Sequence, residues 1–290
     1  MRAIVAALLG AGLLANAQGA WAGDLRPGGK LLLTGGVSSI EGAGGGGLAT
    51  WALITGYETR DGVGANVHAT LVSLPDYKFT AGGVAIGVYD VLELSYSRQA
   101  FDTGDAGAKL GIGQGFTFHQ DVYGVKVRVL GDAVYDQGSW LPQISVGGQY
   151  KQGDREALVK ALGARSADGI DYYVAASKIL LDHSLVLNGT VRATRANQTG
   201  LLGFGGPKNE DYQAQFEGSA ALLLNRKLAV GVEYRSKPDN LGLKEDDWMD
   251  VFAAYALNKN LSVTAGYADL GEVATFGAQR GLYLSLQAGF

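Results

Sequence analysis

The sequence contains no cysteine and only three histidines in 290 residues. Disulfides, thiolate metal ligands and a cysteine nucleophile are therefore excluded, and the lack of cysteine suits an oxidising compartment of the cell envelope. The histidines, His68, His119 and His183, lie far apart in the chain. Because local metal sites place their ligands at short spacings, we expect no metal ion and no cofactor.

Charge and proline are also scarce. Charged residues make up 18% of the chain, against about 25% in ordinary soluble domains. The formal net charge of −4 supplies no basic excess, so nucleic acid is not an expected partner. Five prolines stand against 45 glycines, which disfavour helix. The mean hydropathy of +0.07 is the intermediate value expected when alternate positions face lipid and a lumen.

The only long apolar run lies at the N-terminus, where Arg2 precedes the apolar residues 3–14. This run is too short for a membrane-spanning helix, which needs about 20 residues, and it fits a secretory signal. Small residues in Ala20-Trp21-Ala22 predict a signal peptide over 1–22, and residues 15–17 offer a competing cleavage site.

Residues 23–290 show the two-residue period of β-strands. Val125, Val127 and Val129, for example, alternate with Gly124, Lys126 and Arg128. Such segments run for about ten residues, which is long enough for a tilted strand to cross a bilayer. We therefore predict an all-β fold, a transmembrane antiparallel up-and-down β-barrel.

Fourteen strands are expected, with 12 or 16 as alternative counts. Short and long connections alternate along most of the chain, as they do between the periplasmic turns and extracellular loops of outer-membrane barrels. The linker 131–140 is an exception, being long where a short turn is expected. The predicted spans are 30–39, 48–58, 65–74, 79–89, 91–101, 121–131, 141–152, 170–181, 184–197, 211–225, 227–237, 248–257, 260–269 and 280–290.

The last predicted strand places alternate apolar residues on one face and ends in an aromatic residue. It resembles the recognition signal that outer-membrane barrels present to the barrel assembly machinery. We predict that Leu284, Leu286 and Phe290 carry this signal. The alternative is an ordinary terminal strand of a soluble sheet.

One region is more distinctive in sequence than the general strand pattern. It runs from Tyr234 to Asp250 and contains Ser236-Lys237-Pro238-Asp239-Asn240-Leu241 and Lys244-Glu245-Asp246-Asp247-Trp248. Together with Tyr267-Ala268-Asp269-Leu270-Gly271, it is similar to a proteobacterial outer-membrane family of unknown function. The resemblance implies a barrel over the whole mature chain and implies no activity.

Charged residues on the polar faces of the strands are the lumen-lining candidates. Acids and bases are balanced among them, so they predict no strong ion preference. Fourteen strands would give a backbone diameter of about 28 Å, which side chains and loops would narrow. An N-terminal plug is not expected, because the first predicted strand begins soon after the cleavage site. The candidates are Glu93, Lys126, Arg128, Arg192, Glu217, Glu233, Arg235 and Asp250.

Three further segments allow two interpretations each. The acidic residues 245–247 with Asp250 beside Trp248 suggest a cation site or a contact with lipopolysaccharide ions, but a solvated loop end with Trp248 in the aromatic belt is favoured. Residues 154–162 could form a short helix, either exposed or folded into the barrel mouth. The glycines at 44–47 predict a flexible loop between two strands rather than a phosphate cradle.

These features predict a porin-like channel in the outer membrane that admits small solutes by diffusion. The alternative is a structural or adhesive barrel with a blocked lumen. The choice between the two depends on whether loops 102–120, 153–169 and 197–210 fold inward. An outer-membrane lipase-type enzyme is a distant alternative, and no catalytic residue is assigned. The expected partners are outer-membrane lipids and lipopolysaccharide, and export passes through the periplasm after signal cleavage.

Overall fold

The computed structural model describes residues 30–35, 37–243 and 245–290. The predicted signal peptide, residues 1–22, lies outside the described residues. Within them are twelve strands, two short α-helices, α1 (Gly104–Lys109) and α2 (Glu156–Ala161), and two 3-10 turns at Leu181–His183 and Asn197–Gly200. The strands are β1 Val63–Ser73, β2 Lys78–Val88, β3 Leu92–Asp102, β4 Thr117–Leu130, β5 Gln143–Gly153, β6 Asp168–Leu180, β7 Leu185–Thr194, β8 Gln213–Asn225, β9 Leu228–Arg235, β10 Trp248–Ala256, β11 Leu261–Asp269 and β12 Arg280–Gly289.

The strands form one closed antiparallel barrel. Each strand pairs with its neighbours in sequence, and β1 closes the ring by pairing with β12, for example Val67 opposite Ala288. The predicted up-and-down barrel is therefore confirmed, with twelve strands, which was one of the alternative counts. Twelve strands give a backbone diameter of about 24 Å instead of 28 Å.

Two predicted spans, 30–39 and 48–58, do not enter the sheet. Residues 38–58 are instead buried inside the barrel. The prediction that the chain leaves no room for an N-terminal plug is therefore wrong. It failed because the segment's own backbone and the interior-facing side chains of the barrel, rather than neighbouring strands, supply its hydrogen bonds.

The two ends of the barrel differ. The turn end carries residues 89–91, 131–142, 181–184, 226–227 and 257–260, and β1 begins and β12 ends there. The loop end carries the connections 74–77, 103–116, 154–167, 195–212, 236–247 and 270–279. The long turn-end link 131–142, anticipated as an exception, folds back on β6, where Gln137 Nε2 donates to the Ile179 carbonyl at 2.9 Å.

The barrel wall is apolar outside and polar inside. Along β3, Glu93, Ser97 and Gln99 point inward and are buried, whereas Leu94 points outward and is 51% exposed. Outward tyrosines of neighbouring strands contact each other, with 5.3 Å between the centroids of the tilted rings of Tyr96 and Tyr123. This distribution suits a barrel whose outer surface faces lipid. Among the described residues, no helix is long and apolar enough to cross a membrane.

Candidate functional site

The lumen is filled by residues 37–58, which we call the lumen segment. Short β-bridges join Ser38 to Gly44 and Gly45 to Thr50, so the segment folds back on itself inside the barrel. Both of its ends lie at the turn end. The amide of Gly56 donates to the carbonyl of Gly35 at 2.6 Å, and Lys30, which precedes the segment, pairs with Glu58 at 3.1 Å and with Asp90 at 2.8 Å. The segment therefore enters and leaves the barrel through the same mouth.

Acidic side chains of the wall accept hydrogen bonds from the backbone of the lumen segment. Glu93 accepts from the amide of Gly44 at 3.0 Å and, through its other oxygen, from that of Thr55 at 2.8 Å. Glu233 accepts from Leu48 and Glu217 from Thr50, both at 2.7 Å. Buried peptide groups need such partners, and the wall carboxylates supply them.

Glycine is required where the segment meets these carboxylates. A Cβ added to Gly46 would lie 1.7 Å from Oε1 of Glu233, and one added to Gly44 would lie 2.9 Å from Oε2 of Glu93. Glycines 44–47 are therefore not the flexible loop between strands that the sequence suggested. They allow the backbone to approach the barrel wall closely.

Basic and neutral side chains of the wall donate to carbonyl groups of the segment. Lys126 Nζ donates to the carbonyls of Gly44 and Trp51, both at 3.0 Å. The Ala52 carbonyl accepts from Gln143 at 2.7 Å and from Ser145 at 2.6 Å. The wall thus binds the lumen segment largely through its peptide groups.

One side chain of the lumen segment, Glu41, enters a cluster of basic wall residues. Arg235 lies 2.9 Å from its carboxylate and Arg192 lies 3.5 Å from it. Lys151 also contacts Glu41 and bridges to Asp171 at 2.7 Å. All five charged side chains are almost completely buried, so each depends on the others for charge compensation.

The eight predicted lumen-lining residues all have buried side chains in the barrel interior, but not in one place. Glu93 with Lys126 (3.0 Å) and Arg192 with Glu217 (2.5 Å) form pairs deep in the wall. Arg128 lies at the turn end and bonds Asp90 at 2.5 Å. The remaining three are Glu233 and Arg235, which contact the lumen segment, and Asp250, whose carboxylate has no hydrogen-bond partner among the described residues.

Loop 195–212 closes the other end of the lumen. Its residues 196–204 are buried, and the Thr199 carbonyl accepts from Gln120 at 3.2 Å and Lys151 at 3.0 Å. Asn240, from the next loop, donates to the Arg195 carbonyl at 3.0 Å. Of the loops expected to decide whether the lumen is open, this one folds inward.

The predicted helix within residues 154–162 is present as α2. Val159 of α2 and Leu202 of loop 195–212 belong to one buried apolar cluster, as does Trp248. Trp248 is 5% exposed and points inward, so the expectation that it joins the outer aromatic belt is wrong. Lys237 lies over its ring, 5.0 Å from the centroid, and this buried cation–π contact fixes the indole inside the barrel.

The acidic residues near Trp248 do not converge on one point. Glu245 pairs with Lys237 at 3.2 Å, and burial raises the pKa of Glu245 above its ordinary value and lowers that of Lys237. Asp246 accepts from the amide of Glu272 at 2.8 Å, and Asp247 accepts from the Lys237 amide at 3.1 Å. The three loop acids therefore form separate structural contacts.

A charged cluster fastens the lumen segment at the turn end. Glu58 is 3% exposed, and Cβ atoms added to Gly56, Gly64 or Gly87 would lie 2.1–2.4 Å from its carboxylate oxygens. Burial in this glycine pocket raises the pKa of Glu58 to about 7, although Lys30 opposes the shift. Glu58 is therefore a titratable contact at the base of the segment.

The histidines occupy three separate environments. His68 is buried, and neither ring nitrogen has a hydrogen-bond partner among the described residues. His119 Nδ1 lies 2.9 Å from Asp154, and His183 lies in the 3-10 turn at the turn end. No hydrogen bond joins a histidine ring to a serine hydroxyl in the described part of the chain, so the arrangement gives no support to a Ser–His pair.

Two cavities inside the barrel are small. One interior cavity, bordered by Leu48 and Trp248, measures about 30 Å³, and a second, bordered by Gly46 and Trp51, measures about 20 Å³. Each has room for about one water molecule. Together with the buried residues 38–58 and 196–204, these small cavities indicate that the lumen is blocked in this conformation.

The closed antiparallel barrel, with its apolar outer face and polar interior, is porin-like in architecture. The chain belongs to the family described as "Protein of unknown function (DUF3034)", whose model matches residues 34–287. The resemblance inferred from residues 234–250 and 267–271 is thereby confirmed at the level of a family of unknown function. No curated protein matches the sequence.

Solved structures of outer-membrane proteins are similar to this chain at low sequence identity. A KdgM porin in complex with disordered oligogalacturonate matches with a TM-score of 0.50 and 10% identity, over 78% of this chain and 99% of that porin. The NanC porin matches with a TM-score of 0.47 and 11% identity, over 78% and 98%. Outer membrane phospholipase A from Escherichia coli matches with a TM-score of 0.44 and 8% identity, over 81% and 94%.

Proposed function

We propose that this protein is a porin-like channel of the outer membrane, closed at rest by its lumen segment. Small solutes would pass by diffusion when the segment leaves the lumen. The observation that carries the proposal is the way in which the wall binds the segment. Carboxylates such as Glu93 and Glu217 accept its amides, and Lys126 donates to its carbonyls.

The same wall residues would line a water-filled path after the segment leaves. Acids and bases are paired along the wall, as with Glu93 and Lys126 or Arg192 and Glu217. Such a lining is polar without a dominant sign of charge, so weak ion selectivity is expected. The protein is not an enzyme in this proposal, and the lipids and lipopolysaccharide of the outer membrane surround it.

A structural barrel with a permanently blocked lumen is the second candidate. The inward fold of loop 195–212 favours it, because Asn240 holds that loop through a contact that does not involve the lumen segment. Lys151 contacts both the Thr199 carbonyl of this loop and Glu41 of the lumen segment, so the channel proposal has the loop and the segment move together. The two candidates differ in whether weakening the lumen segment alone creates conductance.

Single-channel recording in planar bilayers distinguishes them with Glu41→Ala. This change leaves Arg235 and Lys151 without their shared partner, and loss of one member of a buried ion cluster costs about 3–5 kcal/mol. The wild type should be closed most of the time, and the variant should open at least about 100-fold more often. Asp269→Ala, which removes a partly exposed carboxylate paired with Arg280 at 2.7 Å, is the matched control and should behave as the wild type.

A correctly folded but silent Glu41→Ala barrel would contradict the channel proposal and favour the structural barrel. Folding is checked by heat-dependent migration on gels, which separates closed barrels from unfolded chains. Frequent openings in the Asp269→Ala control would also count against the proposal, because they would show that the conductance does not report on the lumen segment.

A further inference from the structure

Asp250 is a buried carboxylate that the contacts of the lumen segment do not explain. It is 4% exposed, and neither of its oxygens has a hydrogen-bond partner among the described residues. On the neighbouring strand it lies directly opposite Glu233, which is 3% exposed. Residues opposite each other in an antiparallel pair have Cβ atoms about 4.5–5.5 Å apart.

The carboxylates of two directly opposite residues repel each other strongly when they are away from water. Glu233 is partly stabilised, because it accepts from the Leu48 amide and from the Ser219 hydroxyl, both at 2.7 Å. Asp250 has no comparable donor among the described residues, so its charge requires another form of compensation.

The nearby basic residues are engaged elsewhere. Arg235 bonds Glu41 and the Leu48 carbonyl. Lys237, beyond Trp248, bonds Gln198 and Glu245. In the described part of the chain, no lysine, arginine or histidine forms an ion pair with Asp250 or Glu233.

A third oxygen lies beside the pair. The hydroxyl of Tyr283 is buried and has no hydrogen-bond partner among the described residues. A Cβ added to Gly47 would lie 3.1 Å from this hydroxyl and 3.3 Å from Oε2 of Glu233, so both oxygens flank the same glycine of the lumen segment. Strands β9, β10 and β12 thus direct oxygen atoms toward one part of the wall.

We propose that Asp250, Glu233 and Tyr283 form a binding site for one hard divalent cation, for which Ca²⁺ is a suitable probe. Oxygen atoms are the ligands that such cations prefer. One shared proton would engage only one oxygen of Asp250, whereas a cation can engage both together with Glu233. No cluster of three or more acidic, histidine or cysteine ligands occurs among the described residues, so hydroxyl, carbonyl or water oxygens complete the coordination.

The site would link the barrel wall to the lumen segment, because Glu233 also holds the Leu48 amide. With only two carboxylates, an affinity of about 0.1–1 mM is expected, as in weakly charged calcium sites. The inference concerns binding alone, so it stands or falls independently of the proposed conductance.

The test is calorimetric titration of CaCl₂ into the full-length barrel. The protein is refolded in detergent without lipopolysaccharide, freed of metal with a chelator and kept in a sodium-free buffer. One Ca²⁺ per chain is expected, and Asp250→Asn should weaken binding at least tenfold. Asp269→Asn is the matched control, because Asp269 lies at the end of β11, pairs with Arg280 at 2.7 Å and should not affect binding.

Two results would overturn the proposal. The first is no binding at concentrations tenfold above the expected range, including the case in which the pair only takes up a proton. The second is equal binding by Asp250→Asn and the wild type. If Asp250→Asn fails to fold, Tb³⁺ luminescence excited through tyrosine replaces it. The wild-type signal should then be displaced by Ca²⁺ and should fall in Tyr283→Phe, and an unchanged signal in that variant would overturn the site.

Discussion

A single methyl group at position 46 should displace the lumen segment. The Cβ of Gly46→Ala would lie 1.7 Å from Oε1 and 2.5 Å from the carboxylate carbon of Glu233. The backbone of Gly46 is outside the left-handed region, so alanine is not disfavoured by its φ angle. The steric conflict with Glu233 is therefore the main effect of the change.

The cost can be estimated from the contacts of Glu233. Moving its carboxylate aside breaks the hydrogen bonds from the Leu48 amide and the Ser219 hydroxyl. A hydrogen bond to a charged group contributes about 1.5–3 kcal/mol, so the closed state loses about 3–6 kcal/mol. Because about 1.4 kcal/mol corresponds to a factor of ten, the displaced fraction should rise at least about 100-fold.

Single-channel recording measures that fraction as open probability. Gly62→Ala is the matched control, because its added Cβ would come no closer than 3.7 Å to another atom. Openings should be frequent in Gly46→Ala and as rare in Gly62→Ala as in the wild type. If Gly46→Ala folds, retains its stability and stays silent, the close packing between the glycines and the wall does not keep the lumen closed.

Three other predictions concern stability and the two ends of the barrel. Arg192→Ala removes the ion-pair partner of the buried carboxylates of Glu217 and Asp171. The free energy of unfolding in urea should fall by about 3–5 kcal/mol, and a decrease below about 1 kcal/mol would refute the charge cluster. Because the pKa of Glu58 is raised to about 7, the folded state binds the proton of this carboxyl more tightly than the unfolded state does. The free energy of unfolding should therefore fall by at most about 3 kcal/mol as pH rises from 4.5 to 7. Glu58→Gln should flatten this pH dependence of the urea midpoint, and an equally steep curve would contradict the assignment. Asn240→Ala should release loop 195–212 and speed tryptic cleavage after Arg195, and unchanged cleavage would show that other contacts hold the loop.

The strand pattern of the wall could be predicted from sequence because lipid and lumen impose opposite demands on alternate residues. Strand β12, Arg280–Gly289, was predicted at 280–290, and its Leu282 is 68% exposed to the outside, as the alternation requires. The same alternation identified inward side chains such as Lys126 and Glu233, because an ionised residue within an apolar period has to face the lumen.

The lumen segment could not be predicted from that pattern. Residues 48–58 have the length and composition of a strand, but several of their amides donate to wall side chains such as Glu217 and Ser177. The two-residue period of a sequence does not reveal whether its backbone amides will bond to a neighbouring strand or to side chains. The run of glycines at 44–47 was the available signal, because a lipid-facing strand gains little from four residues without side chains.

The assembly signal of Leu284, Leu286 and Phe290 stays a prediction. Leu284 is outward and 49% exposed, while Leu286 is partly buried. The carbonyl of Phe290 accepts from the amides of Tyr57 and Ala65, so the last residue joins the base of the lumen segment to β1.

Because the lumen segment enters and leaves through one mouth, it can be extracted without threading a chain end through the barrel. A force that pulls the segment along the barrel axis toward the turn end would first stretch the ion pair between Lys30 and Glu58. The contacts deeper in the lumen would then break one after another. The same pull from the loop end would drive the segment against loop 195–212. The barrel is thus mechanically asymmetric, and a force transmitted from the turn end has the lower resistance.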